Sequence, residues 1–199
     1  DLRDWYRQWY APNNATLIVV GDVEPEAVFS LAEAYFGPLQ PETIAAPKPR
    51  VEPEQRGEKR LSVAAPAKEP YLLIGYKTPA LGHAEQDWEP YALEMLVAVL
   101  DGDSSARFSR ELERGSQVAA SVSASYNAFN RLPGMLLIGG APAKGESVEA
   151  LEQAIDDQLE RMRTDLVAPE ELERIRTQLI AGKVYEQDSV FYQAMMLGR

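Results

Sequence analysis

The chain has 199 residues, 45% hydrophobic and 26% charged, the balance of a folded protein with apolar material for one large domain or two small ones. It has no cysteine and one histidine, His83, which excludes disulfides, thiolate zinc sites, iron–sulfur clusters, a cysteine nucleophile and any centre needing two imidazoles. A formal charge of -11, from 20 basic and 31 acidic residues, disfavours phosphate backbones and anionic lipid surfaces, so no nucleic-acid partner is expected.

Leu2, Trp5, Tyr6, Trp9 and Tyr10 form an aromatic stripe at helical spacing, which predicts a short helix packed into a core and ended by Pro12-Asn13-Asn14. Ala15 to Gly21 is a nearly continuous apolar run rich in β-branched residues and reads as a buried strand. Pro25 then opens a helix whose buried face would be Val28, Leu31, Ala32, Tyr35 and Phe36, stopped by Gly37-Pro38. Residues 40–57 hold Pro41, Pro47, Pro49 and Pro53 without apolar period and read as an extended linker.

Lys59 to Ala65 and Tyr71 to Lys77 read as strands. A helix over 86–100 follows, with Trp88, Tyr91, Ala92, Met95, Leu96, Val99 and Leu100 inward, and then the turn Asp101-Gly102-Asp103-Ser104-Ser105, whose serines are placed to cap a helix over 106–113. Two more strands are expected, Val118 to Tyr126, with Val118, Ala120, Val122 and Ala124 on one face, and Met135 to Gly139. A long helix from Ser147 to Leu166 carries the stripe Val148, Leu151, Ile155, Leu159, Met162 and Leu166; Pro169 begins the last, with Leu172, Ile175 and Leu179 inward. Ten acidic residues between Glu146 and Glu173 stand against Arg161 and Arg163, a solvated helix face. Hairpin-paired strands with helices gathered on one side give an α+β fold, a two-layer α/β sandwich with an antiparallel sheet.

No apolar run reaches the roughly 18 residues of a bilayer span. The chain opens on Asp1 and closes inside the apolar segment Phe191 to Leu197, so both ends read as cut and the chain as a segment of a longer protein. Gly102 and Gly139-Gly140 form no phosphate-cradling motif. The carboxylate pairs Asp156-Asp157 and Glu170-Glu171 read as exposed helix positions, and Asp101-x-Asp103 as acidic groups before a helix start; all three are given structural or solvating roles.

Tyr10-Ala11-Pro12-Asn13-Asn14-Ala15, then Gly21-Asp22 and Tyr35-Phe36-Gly37, resemble the M16 metallopeptidases, which include pitrilysin, insulin-degrading enzyme and the mitochondrial processing peptidases. The resemblance continues at Ser104-Ser105-Ala106-Arg107-Phe108, Glu111-Leu112 and Ala168-Pro169-Glu170-Glu171-Leu172, in the family's order over nearly the whole chain. It implies that residues 1–39 end one M16 domain, that 40–57 link, and that 58–199 make most of the C-terminal M16 domain.

M16 enzymes hold zinc through an inverted His-x-x-Glu-His and a distant Glu. This chain lacks that motif, and His83, between Gly82 and Ala84, reads as a solvated turn residue. The resemblance therefore implies no metal, cofactor or catalytic residue in this segment, with zinc in the parent's upstream domain. It also implies an Arg and, seven positions on, a Tyr that hold the substrate carbonyl and oxyanion. Those positions fall on Glu113 and Ala120; Arg114 is one residue off and Tyr126 six residues late, so the pair is lost.

The expected function is a non-catalytic domain of a zinc peptidase, enclosing a peptide substrate beside a second M16 half that carries the Arg/Tyr pair. The alternative is a non-peptidase scaffold or partner subunit of the same fold. A bacterial periplasmic location fits some soluble members of the family and the cysteine-free composition.

Overall fold

The computed structural model describes residues 1–46 and 53–198; Pro47 and Pro49 of the expected linker lie outside them. The chain divides into two compact units, Asp1–Val63 with Tyr185–Arg199, and Ala64–Val184.

The second unit holds the sheet. Strand β1 (Leu72–Thr78) leads through helix α3 (Glu89–Asp101) and a π-helix (Phe108–Gly115) to β2 (Ala119–Ser125), β3 (Gly134–Pro142), α4 (Val148–Thr164) and α5 (Pro169–Glu186). The strands lie in the order β1-β3-β2, and β3 is antiparallel to both neighbours. Ile138 stands between Ile74 and Ala124, and Gly140 between Leu72 and Val122. These residues make the inner face, because side chains two apart on a strand share a side.

Leu100 of α3, Phe108 and Leu112 of the π-helix, and Leu151 and Ile155 of α4 cover that face and form one core with Val122, Ala124 and Ile138. Removing a Leu, Ile or Phe side chain of this kind from water contributes about 1.5–3 kcal/mol. A smaller cluster joins Ala98 and Val99 of α3 to Ile175 of α5, with Met95, Met162 and Val167 against it. The fold is the expected α+β sandwich of an antiparallel sheet with helices on one face.

Local signals explain the helix starts. Ser147 Oγ accepts from Ala150 N at 3.0 Å and caps α4. In the first unit, Asp1 and Asp4 form a capping box on α1 (Leu2–Trp9), Pro25 occupies the first turn of α2 (Pro25–Phe36), and Ser189 caps α6 (Val190–Leu197).

Several expectations change. Ala15 to Gly21 forms no strand among the described residues, and Leu17 and Val19 are exposed. Lys59 to Ala65 likewise forms no strand, with Leu61 and Val63 exposed. Both runs have strand composition; a strand also needs a neighbour to complete its ladder, and composition does not supply one. The faces expected to be buried on α1 and α2 lie open: neither helix has a buried residue, and Tyr6 and Tyr10 stack on each other at 4.4 Å instead of entering a core. Tyr91, Leu172 and Leu179, expected inward, are exposed, as are Trp88 and Leu166, which lie just outside α3 and α4; Ile175 is the buried residue of α5.

The helix expected over 106–113 is wound as a π-helix two residues later, closed by Ser116 N donating to Glu111 O at 2.8 Å. Its cap is also different. Asp103 Oδ1 accepts from both Ser105 N and Ser105 Oγ at 2.6 Å, so the acidic residue organises the turn and the serine donates. Gln117, at φ 58°, carries the chain in the left-handed region from this helix into β2. A register irregularity between Ala119 and Ser121 then breaks the expected alternation, so that Ala119 is buried and Ala120 faces out.

Candidate functional site

Glu113 and Ala120, the residues expected at the Arg and Tyr positions, lie on the π-helix and on β2. Glu113 turns its carboxylate onto the edge of β2, where Oε1 accepts from Val122 N at 3.1 Å and Oε2 from Ser109 Oγ at 2.9 Å. Ala120 sits at the strand irregularity with a methyl group that offers no donor. Arg114 is exposed. The Tyr126 hydroxyl donates to Pro79 O at 2.6 Å, and burial, with Glu94 nearby, pushes its pKa up. That hydroxyl ties the loop after β1 to the end of β2.

His83 lies in the turn after β1, exposed, with Nε2 2.9 Å from the Arg131 carbonyl oxygen. Gly82, at φ +81°, makes the turn possible. Among the described residues no three of His, Cys, Asp and Glu come together to hold a metal ion.

Two charged constellations were not legible in the sequence. Arg107 Nε and Nη2 donate to Glu171 Oε1 and Oε2 at 3.2 and 2.8 Å, a bidentate pair with side chains 9% and 16% exposed. Glu171 is thus not the solvated position its place in an acidic helix suggests. The Arg107 hydrogen bonds hold its carboxyl below the usual range, and the guanidinium is raised in turn. Beside this pair, Asp103 Oδ2 accepts from Gln178 Nε2 at 2.7 Å and from Arg174 Nη1 at 3.3 Å, and Arg174 Nη1 also donates to Ser105 Oγ. Hydrogen bonds from Ser105 lower the Asp103 carboxyl further. Together these contacts clasp α5 to the turn that precedes the π-helix. The partners are 64 to 75 residues apart, and no local pattern links them.

Asp101, the last residue of α3, accepts from Ala124 N at 2.9 Å through Oδ2. Burial raises its pKa, and the neighbouring Glu113 carboxylate adds to that rise.

The sheet face opposite the helices is open. Tyr71, Leu73 and Met135 are exposed on it, Leu137 half-buried, and Ser121, Ser123 and Ser125 line its β2 side. Two glycines shape it. A Cβ on Gly139 would collide with the Tyr71 ring, and one on Gly75 with the end of Met135, so both long side chains lie flat across bare backbone. The result is an apolar surface beside a row of hydroxyls, which suits contact with an extended polypeptide.

Comparison with known proteins assigns the family. The model described as Peptidase M16 inactive domain matches residues 1–179. The chain belongs to this M16 family. A curated relative, the zinc protease PqqE of Helicobacter pylori (strain ATCC 700392 / 26695), is 29% identical over 167 residues, covering 82% of this chain and 36% of that protein. The structure of a protease from Helicobacter pylori aligns with a TM-score of 0.85 at 24% identity, over 98% of this chain and 47% of the other. A conserved protein from Enterococcus faecalis V583 aligns with a TM-score of 0.59 at 18% identity, over 89% and 40% of the two chains. At these identities the solved structures show the fold alone. The M16 chain thus spans about a third to a half of the relatives it matches. No helix among its described residues is long and apolar enough to cross a membrane.

Proposed function

We propose that this chain is the non-catalytic C-terminal domain of an M16 zinc metallopeptidase, forming part of the wall that encloses a peptide substrate. Residues 1–39 end the preceding M16 domain, 40–57 link, and 58–199 form the C-terminal domain. The zinc belongs to the parent's upstream domain, and the Arg/Tyr pair to a second M16 half. The observation that carries this reading is the open sheet face, where Tyr71, Leu73 and Met135 lie beside the hydroxyls of Ser121, Ser123 and Ser125 in a chain of the inactive-domain family. A surface of this kind holds backbone and apolar side chains without contributing to bond cleavage.

The test uses the parent protein. Its metal content is measured after dialysis, and cleavage of an unfolded peptide is assayed with and without chelator. A photo-crosslinker at Leu73 then reports peptide contact. The expected result is chelator-sensitive cleavage, one zinc per parent held outside residues 1–199, and crosslinking of peptide at Leu73. Stoichiometric zinc bound by the 199-residue chain alone would overturn the proposal. A parent without zinc or cleavage would be the scaffold subunit instead.

A further inference from the structure

The sheet of the second unit has two edge strands, β1 and β2. An edge strand presents backbone N–H and C=O groups that can template pairing with another chain. Strand β2 offers such an edge over Ala119–Ser125, with its other edge paired to β3.

At this edge, backbone donors are bound by carboxylates from other elements. Val122 and Ala124 face Gly140 and Ile138 of β3 in register, yet their N–H groups donate to Glu113 Oε1 at 3.1 Å and Asp101 Oδ2 at 2.9 Å. The two donors are two residues apart, the interval at which N–H groups recur on one edge of a strand. The acceptors come from separate elements, the π-helix and the end of α3. Each carboxylate satisfies the donor an incoming strand would need and places negative charge where that strand would bring a carbonyl oxygen.

We propose that Asp101 and Glu113 guard the β2 edge, preventing antiparallel pairing with the β2 edge of a second copy of this chain. Such pairing would be isologous, each β2 meeting the other about a two-fold axis. The inference rests on the sheet geometry alone and holds whether or not the parent is a peptidase.

The test replaces both guards in the 199-residue chain, Asp101→Ala with Glu113→Ala, and follows mass by light scattering over a concentration series together with residue-resolved amide exchange. The expected result is a concentration-dependent doubling of the wild-type mass. Under dilute conditions, exchange at Val122 and Ala124 should rise at least tenfold while Leu151 and Ile155 stay protected. Asp101→Asn with Glu113→Gln, which keeps an acceptor oxygen at each N–H, should behave as wild type. Glu149→Ala with Glu160→Ala, which removes the same charge elsewhere, should leave the mass unchanged. Wild-type mass at every concentration for the double alanine variant overturns the proposal, as does equal association of the charge control. If the double variant does not fold, the single variants decide: each should raise exchange at its own partner amide, and no rise in either refutes the guard.

Discussion

Arg107 shows how much a single side chain carries here. It is buried at the entrance to the π-helix, spends two N–H groups on Glu171 and lies 3.1 Å from Met162 Sδ through Nη1. Truncating it leaves the Glu171 carboxylate in a largely dry site without its counter-charge. Removing one partner of a buried pair costs about 3 kcal/mol or more, while an exposed pair such as Arg163–Glu160 is worth less than about 1 kcal/mol. Arg107→Ala is therefore expected to lower the stability measured by urea unfolding by about 3 kcal/mol, and Arg163→Ala by less than a third of that. Gln158 gives the opposite sign. It is buried on α4 with no partner for Oε1 among the described residues, so Gln158→Met, of similar volume, should stabilise by about 1 kcal/mol in the same assay.

At the scale of elements, the clasp between α5 and the turn before the π-helix makes stability depend on acid. Glu171 and Asp103 have folded pKa values below their ordinary 4.5 and 3.8. A depressed carboxyl contributes stability that is fully present above the ordinary value and lost as pH falls through the folded value. Asp101 runs the other way: its raised carboxyl contributes most below 3.8, and that contribution is lost as pH rises through its folded value. Unfolding free energy should thus decline below about pH 4.5 through the clasp, and Glu171→Gln should flatten that decline. A Glu171→Gln profile parallel to wild type would show that the Arg107 pair is not what acid breaks.

The two units differ at the scale of the whole molecule. The core lies in Ala64–Val184, where Leu100, Phe108, Ile138, Leu151 and Ile155 are fully buried. The described residues of Asp1–Val63 and Tyr185–Arg199 include one buried residue, Ala11, while Phe29, Tyr35, Phe191 and Leu197 are more than half exposed. Protection from exchange follows buried apolar contact. Amides of β3 and α4 should exchange at the global unfolding rate and those of α2 and α6 at least a hundredfold faster, by hydrogen–deuterium exchange on the 199-residue chain. Equal protection in both units would contradict this reading.

The sequence by itself determined helices α1 to α5, the three strands β1 to β3 and the family, because periodicity, caps and ordered motifs are local properties of the chain; that α6 stands apart from α5 was not read from it. The core positions Leu100, Leu151, Ile155 and Ile175 were legible for that reason. The apolar runs at Ala15 to Gly21 and Lys59 to Ala65 misled, because burial is decided by whether a neighbour is present. Only the tertiary structure decided that Glu171 is buried against Arg107, that Asp101 and Glu113 reach the β2 edge, and that Ala120 turns outward at an irregularity in the strand. Those outcomes depend on side chains 9 to 64 residues apart meeting in a drier environment, where pairing is strong and no sequence period records it.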